Sequence, residues 1–257
     1  MEKRQPSSRA SLADRLIAHR GWPARYAENS LAGIRAVLEA GATRVEFDVQ
    51  LTADLQPVVL HDDRLERLSG RPDRISDLRL DQLDEIRIAG PGDDHQPIAR
   101  LDEILATFGH HPAATAFVEL KRGSIRRFGR ARCVEIVMAK LLEAPCPCVF
   151  LSFDSRAVSM ARARGAEATG WVFRPWSILA RWRAKTLKPD YLFVRADRVP
   201  AGPAPFWPGA WQWVIYGVAD RPTASNLIER GAALIEVDDL PSFNDPAASR
   251  TGRDHAG

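Results

Sequence analysis

Short apolar runs alternate with helical patterns along most of this chain, and this alternation narrows the possible folds more than any other feature. Each run has the length of a β-strand, and several helical segments end at a glycine, as at Gly41, Gly165 and Gly231. Such alternation predicts βα units and a parallel sheet. The candidate strands are 16–19, 44–49, 58–61, 116–120, 149–153, 169–173, 191–194, 212–216 and 233–237. The candidate helices are 30–40, 79–88, 101–108, 127–142, 155–164 and 223–230.

Nine candidate strands are one more than an eight-stranded barrel needs, and one short connection explains the surplus. Only residues 50–57 separate the second strand from the third, whereas a parallel crossover needs a dozen or more residues. The third strand is therefore predicted to return antiparallel, from a turn near Asp54 and Leu55 that sets Asp48 opposite His61. The other eight strands predict a (β/α)8 TIM barrel with an extra β-hairpin after the second strand, whose sites lie at the carboxyl ends of the strands.

Length and composition favour one large domain. The chain has 257 residues and a formal net charge of +3, enough for a single barrel. We expect this domain to span residues 15–242, between flexible tails at 1–14 and 243–257. The arginines are scattered rather than striped, so no nucleic-acid partner is expected. We predict a cytoplasmic protein, because the chain has only three cysteines, a polar N-terminus and no long apolar run. The sequence leaves the oligomeric state open.

Carboxylates lie at the ends of two predicted strands. Glu46 and Asp48 are two residues apart, so they face the same side of their strand, and Glu119 ends the run TAFVEL. Three carboxylates at one mouth would repel each other strongly unless a cation joins them. Oxygen ligands suit Mg²⁺ or Ca²⁺. We therefore predict a divalent-cation site formed by these three residues.

Two histidines, His19 and His61, also follow apolar strands. Each can give or take a proton near neutral pH, and an acid and a base on opposite sides of a phosphate suit displacement on a phosphodiester. Arg20 and Lys121 would neutralise the phosphoryl oxygens. Trp213 lies in a later strand, where we expect it to face the substrate at the mouth.

Several linked motifs resemble the glycerophosphodiester phosphodiesterase family. They are His19-Arg20-Gly21, Glu28-Asn29-Ser30, Glu46-x-Asp48-Val49, Thr52-x-Asp54, Val58-Val59-x-His61-Asp62, Glu119-x-Lys121, Trp213 and Glu236-x-Asp238. The resemblance covers roughly residues 15–242. It implies a phosphoinositide-phospholipase-C-like barrel that uses a divalent metal to release glycerol 3-phosphate and an alcohol from a small glycerophosphodiester. It also implies His19 and His61 as the catalytic pair, Glu46, Asp48 and Glu119 as metal ligands, and Arg20 and Lys121 as phosphate ligands.

The chain departs from the family pattern late in the sequence, and these departures keep alternatives open. Where the family has Trp-Thr-Val-Asn, this chain has Trp213-Val214-Ile215-Tyr216, and Val237 replaces a threonine. One alternative is a lysophospholipase D-like hydrolase of acylated substrates, and another is a barrel that binds anions without turnover. Which histidine is the acid is also left open.

A tryptophan-rich stretch between residues 171 and 213 is interleaved with basic residues. The favoured interpretation is barrel core next to a basic helix. The alternative is a surface that meets lipid, although contact with a membrane is not expected.

Overall fold

The computed structural model describes residues 11–244, which form an eight-stranded barrel with an added antiparallel strand. Each barrel strand pairs in parallel with its neighbours, and the barrel closes because β1 pairs with both β2 and β11. The strands are β1 (Leu16–His19), β2 (Arg44–Leu51), β3 (Pro57–Val59), β4 (Arg87–Ala89), β5 (His95–Pro97), β6 (Thr115–Leu120), β7 (Cys148–Ser152), β8 (Ala168–Val172), β9 (Tyr191–Arg195), β10 (Gln212–Tyr216) and β11 (Leu234–Val237). The order around the barrel is β1, β2, β6, β7, β8, β9, β10, β11. The predicted TIM barrel with an extra hairpin is confirmed.

Helices surround the barrel and connect its strands. They are α1 (Leu31–Glu39), α2 (Glu66–Ser69), α3 (Leu101–Phe108), α4 (Arg122–Phe128), α5 (Arg130–Leu142), α6 (Ser155–Ala163), α7 (Ile178–Leu187), α8 (Arg221–Glu229) and α9 (Leu240–Asn244). None of these helices combines the length and the apolar character that crossing a membrane requires. The predicted tails fall mostly outside the described residues.

The hairpin of β2 and β3 is one residue out of step with the prediction. Val49 pairs with Val59 and Gln50 with Val58, so Asp48 lies opposite Leu60, whose N–H donates to the Asp48 carbonyl at 2.9 Å. The reason is the turn, which is centred on Asp54. It is closed by hydrogen bonds from the Thr52 N–H to the Gln56 carbonyl and from the Gln56 N–H to the Thr52 hydroxyl. His61 therefore lies one residue beyond the pair, and its backbone carbonyl is held by the Gln50 side chain at 3.0 Å.

Two of the predicted helices differ in the structure. The segment 79–88 is a 3-10 turn at Leu80–Leu83 followed by β4, because the apolar period changes from three to two at Ile86 and Ile88, both buried. Helix 127–142 breaks at Gly129, whose φ of +85° ends α4 and allows α5 to begin. Helix α7 was not predicted.

The barrel interior has an apolar floor. Side chains that alternate along the strands point inward and pack together, and they are Ile17, Phe117, Val149, Leu151, Val172, Phe193, Val214 and Leu234. The intervening residues face the helices and form the larger outer core. Polar residues that also point inward, such as Asp48 and Glu119, lie closer to the carboxyl ends of their strands, above this floor. The alternation therefore places a polar layer at the carboxyl ends of the strands.

Helix α6 begins at a cap that also ties it to α5. The Asp154 carboxylate accepts hydrogen bonds from the N–H groups of Arg156 and Ala157 at 2.9 and 3.0 Å, and Arg130 donates two more at 2.9 and 2.8 Å. Burial opposes ionisation, but these bonds outweigh it and lower the pKa of Asp154. The carboxylate therefore stabilises the fold above about pH 4, and this contribution is lost at lower pH.

We expect Asp154→Ala to lower the free energy of unfolding by about 1–3 kcal/mol, because it removes both the cap and the ion pair. Asp154→Asn should cost less, since asparagine also caps helices. Urea unfolding at pH 7 measures both values. Equal losses in the two variants would contradict a role for the cap.

Candidate active site

Four carboxylates meet at the carboxyl end of the barrel. Glu46 and Asp48 come from β2, Glu119 from β6 and Glu236 from β11, and all four are buried. Asp48 pairs in register with Glu119, so their side chains leave the sheet side by side on its inner face. Ligand oxygens of Glu46, Asp48 and Glu119 lie within 4.8 Å of one another. The three residues predicted to form a cation site are thus brought together.

Cationic and amide groups hold one of these carboxylates, Asp48, in place. Lys121 Nζ lies 2.9 Å from Asp48 Oδ1, and Arg20 Nε lies 3.1 Å from Oδ2. Asn29 donates from Nδ2 to Oδ2 and accepts from the Asp48 N–H, both at 3.0 Å. Burial alone would raise the pKa of Asp48, but the charges of Lys121 and Arg20 lower it far below the usual range. Asp48 is therefore ionised at neutral pH.

The negative charges of Glu46 and Glu236 are less well compensated than that of Asp48. The Arg20 N–H approaches Glu46 at 3.3 Å, but burial and the repulsion of Asp48 and Glu236 raise the pKa of Glu46 well above its ordinary value. Burial raises the pKa of Glu236 to about 7, against the attraction of His19. With all four carboxylates ionised, the cluster would therefore carry more negative charge than Arg20, Lys121 and His19 neutralise.

The donor set fits a hard divalent cation. The atoms that converge are carboxylate oxygens, which Mg²⁺ and Ca²⁺ prefer. Lys121 Nζ lies 2.8 Å from Glu119 Oε1, but that buried oxygen accepts no hydrogen bond from any described residue, since the approach lacks hydrogen-bond geometry. The buried carboxylates also outnumber the cationic side chains beside them, and such a surplus of acceptor oxygens suits a cation site.

His19 stands at the edge of this cluster. Its Nδ1 lies 2.6 Å from Asp238 Oδ1, and its Nε2 lies 3.3 Å from Glu236 Oε1 and 3.9 Å from Glu46 Oε2. Burial tends to lower the pKa of His19, but Glu236 and Asp238 outweigh this effect and raise it. Asp238 fixes the ring, so that Nε2 faces the carboxylates.

A chain of charged groups connects His61 to the same cluster. His61 Nδ1 lies 2.5 Å from Asp62, which accepts from Arg67 Nε at 2.6 Å. The two Nη atoms of Arg67 donate to Glu28 at 2.9 and 2.7 Å, and Glu28 accepts from Arg20 at 2.9 Å. Burial lowers the pKa of His61. Asp62 thus holds the His61 ring in place.

The backbone around Arg20 is bent sharply to form this site. Arg20 and Asn29 have backbone φ angles of 53° and 61°, values that residues other than glycine and asparagine rarely adopt. Gly21 has φ of +83°, and a Cβ there would lie 2.9 Å from the N atom of Ile34, so glycine is required. The Asn29 N–H donates to the Arg20 carbonyl at 2.9 Å. The bend lets one turn supply a guanidinium and an amide to Asp48.

A cavity of about 930 Å³ opens above the carboxylates, and His19 and His61 both line it. Its apolar part includes Phe153, Val172 and Phe193. Its wall also carries many cations, namely Arg20, Arg64, Arg74, Lys121, Arg122, Arg126, Arg174, Arg195 and Arg198. A cavity with such a wall attracts anions.

The prediction for Trp213 is wrong in its direction. Val214 and Tyr216 take the inward positions of β10, so Trp213 points outward, where it is buried among Phe173, Trp176 and other aromatic side chains. All five residues of β10 are large and four are apolar or aromatic, so the sequence alone does not tell which face is inside. The other predicted site residues all line the cavity: His19, Arg20, Glu46, Asp48, His61, Glu119 and Lys121.

Four further groups contribute to the site without having been assigned to it from the sequence: Glu28, Arg67, Glu236 and Asp238. Glu28, Glu236 and Asp238 belong to the motifs given above, and Arg67 lies within the span of the resemblance. The family resemblance could therefore have indicated them. Arg67 pairs with Glu28 across 39 residues and Asp238 with His19 across 219, so these pairings follow only from the folded structure.

Comparison with known proteins places these observations in a family. Residues 19–167 match the glycerophosphoryl diester phosphodiesterase family. Glycerophosphodiester phosphodiesterase 1 of Bos taurus is 30% identical over 186 residues, covering 69% of this chain and 53% of the relative. The Homo sapiens protein of that name is 28% identical over 193 residues, covering 70% and 56%. The chain thus spans about half the length of these curated relatives.

Solved structures share the fold over most of the chain. The Oleispira antarctica phosphodiesterase in complex with the product sn-glycerol-3-phosphate has a TM-score of 0.78 at 21% identity, covering 91% of this chain and 96% of that one. The glycerophosphodiester phosphodiesterase of Thermotoga maritima has a TM-score of 0.69 at 22% identity, covering 89% and 96%. At these identities the likeness establishes the fold.

We expect Glu46→Gln to raise the Tm of the protein in EDTA at pH 8, because it removes an uncompensated buried charge. A group whose pKa is raised by folding stabilises the fold at acidic pH and loses that effect as pH rises through its folded pKa. The gain should therefore be at least about 2 °C at pH 8, the order that ~1 kcal/mol produces in a domain of this size, and smaller at pH 5. Calorimetry measures it.

The matched control for this substitution is Glu39→Gln, at an exposed position of α1, which should leave Tm unchanged at both pH values. A lower Tm for Glu46→Gln at pH 8 would show that the charges of the cluster are already compensated.

Proposed function

The chain belongs to the glycerophosphoryl diester phosphodiesterase family, and we propose that it hydrolyses glycerophosphodiesters to glycerol 3-phosphate and an alcohol, with residues 15–242 as its single catalytic domain. One observation carries the proposal: two histidines, each with a carboxylate on Nδ1, line the same cavity as three carboxylates whose oxygens lie within 4.8 Å. Acid–base groups beside a cation site suit phosphodiester hydrolysis. The structural neighbour described with sn-glycerol-3-phosphate supports the product.

Glu46, Asp48 and Glu119 are the proposed ligands of a Mg²⁺ or Ca²⁺ ion. Such an ion supplies Lewis-acid stabilisation of the phosphoryl oxygens and neutralises the charge of the carboxylates. The raised pKa of Glu46, caused by burial and its acidic neighbours, supports this assignment, because the residue needs a positive partner to ionise. Asn29 and Arg20 position Asp48 for the role.

His19 and His61 are the proposed acid–base pair. Asp238 and Asp62 lie at the Nδ1 atoms of the two rings, which leaves each Nε2 free to exchange a proton with substrate. In an in-line displacement one ring takes the proton of the attacking oxygen, from water or from a glycerol hydroxyl. The other ring gives a proton to the alcohol that leaves.

Arg20 and Lys121 are the proposed phosphate ligands. Lys121 is protonated at neutral pH, since Asp48 and Glu119 raise its pKa despite its burial. Both side chains already contact Asp48, so they border the proposed cation site. A phosphate there would share their donors and have its charge neutralised in the transition state.

A substrate that keeps one acyl chain is a second candidate. It is favoured by three exposed apolar side chains on α7, namely Ile178, Leu179 and Trp182, because this helix follows β8 at the mouth of the barrel. Comparing kcat/KM for glycerophosphocholine with that for its lysolipid counterpart distinguishes the two. A higher value for the lysolipid would favour the second candidate.

Phosphorus-31 NMR with glycerophosphocholine and excess Mg²⁺ or Ca²⁺ tests the proposed reaction. We expect glycerol 3-phosphate as the phosphorus-containing product. His19→Ala and His61→Ala should each lower kcat by about 10²–10⁴-fold, the usual contribution of a general acid or base. Phosphocholine as the product, or no turnover with either cation, would contradict the proposal.

The same variants distinguish the acid from the base when the leaving alcohol is p-nitrophenol. This group needs no proton to leave, so the variant that lacks the acid should regain most of its kcat, while the variant that lacks the base should not. Exposed His95→Ala is the matched control and should behave as wild type. Equal rescue of both variants would contradict separate roles.

A further inference from the structure

Helix α7 exposes three large apolar side chains that the barrel does not use. Ile178, Leu179 and Trp182 are 89, 73 and 62% exposed, and the one other large apolar residue this exposed within residues 11–244 is Leu142. The opposite face of α7 packs on the core through Ala180 and Ala184. Exposed apolar residues gathered on one helix, rather than scattered singly, indicate an interaction surface.

This apolar group lies at the same end of the molecule as the candidate active site. In a barrel of this kind each helix starts near the carboxyl end of the preceding strand and runs back beside it. The three residues occupy the first half of α7, which follows β8. Arg174, between β8 and α7, lines the cavity and lies over the Phe153 ring, with its guanidinium carbon 5.4 Å from the ring centroid.

The charges around the apolar group are positive. Helix α7 contains no acidic residue. Arg174, Arg181 and Lys185 are exposed, and none of the three forms an ion pair within residues 11–244. Arg181 lies three residues after Ile178 and Lys185 three residues after Trp182, so each basic side chain neighbours an apolar one on the helix surface. The three apolar and three basic side chains together form what we call the α7 surface.

We propose that the α7 surface binds an anionic lipid bilayer, with Ile178, Leu179 and Trp182 in the headgroup layer and the three basic side chains on lipid phosphates. Apolar and aromatic residues beside lysine and arginine are the combination that binds membrane interfaces. The mouth of the barrel then faces the bilayer. This inference does not depend on the proposed hydrolysis.

Two other occupants fit the α7 surface less well. A second copy of the chain would bring basic groups of like charge together at the interface. The terminal stretches 1–10 and 245–257 contain only Met1 as a large apolar residue, so they offer little to cover three apolar side chains. An anionic lipid surface matches both the charge and the apolar character.

Sedimentation of the full chain with vesicles tests the proposal. We expect binding to vesicles of phosphatidylcholine with phosphatidylglycerol at low salt, and much weaker binding to pure phosphatidylcholine. Replacing Ile178, Leu179 and Trp182 together by serine should lower the partition coefficient at least tenfold. Arg181→Gln with Lys185→Gln should reduce the preference for anionic vesicles. Leu142→Ser, an exposed apolar control at the end of α5, should bind as wild type.

Circular dichroism and thermal unfolding of each variant verify that it folds, and since no turnover is measured, the result is separate from that for the proposed function. Absence of vesicle binding, equal binding to neutral vesicles, or binding that the serine variant retains would overturn the proposal. So would a dimer in analytical ultracentrifugation that the serine substitutions dissolve, because the surface would then hold a second copy.

Discussion

The burial of four carboxylates at one end of the barrel is the constraint on which the rest of the site depends. Glu46, Asp48, Glu119 and Glu236 are all buried and would not lie this close together without compensation of their charges. Asp48 is compensated by Lys121, Arg20 and Asn29. The charges of the other three carboxylates are only partly compensated, by the Arg20 N–H, Lys121 and His19, which makes the cluster suited to hold a divalent cation. The bent backbone at Arg20, Gly21 and Asn29 serves the same arrangement.

Features set by local chemistry could be predicted from the sequence. The spacing of Glu46 and Asp48 places them on one face of a strand in any sheet, and the short connection before residue 58 allows only a hairpin. These two observations led to the barrel and to the acidic cluster. The family resemblance then strengthened the assignments of His19 and His61, whose roles remain proposals.

Features set by distant packing could not be predicted in the same way. The residues of β10 are nearly all apolar, so the outward direction of Trp213 depends on which neighbours β10 pairs with. Asp238 reaches His19 only because β11 closes the barrel against β1. The contact of Glu28 with Arg67 depends on how α2 packs beside the first loop. The tryptophan-rich stretch divides in the structure: Trp171, Trp211 and Trp213 are buried, whereas Trp182 is exposed.

A crystal structure of the protein soaked with Mn²⁺, a substitute for Mg²⁺ that is visible by anomalous scattering, tests the central claim most directly. The account predicts one ion per chain, bound by carboxylate oxygens of Glu46, Asp48 and Glu119 at the mouth of the cavity lined by His19 and His61. An ion bound elsewhere, or no ion at concentrations that support activity, would contradict it.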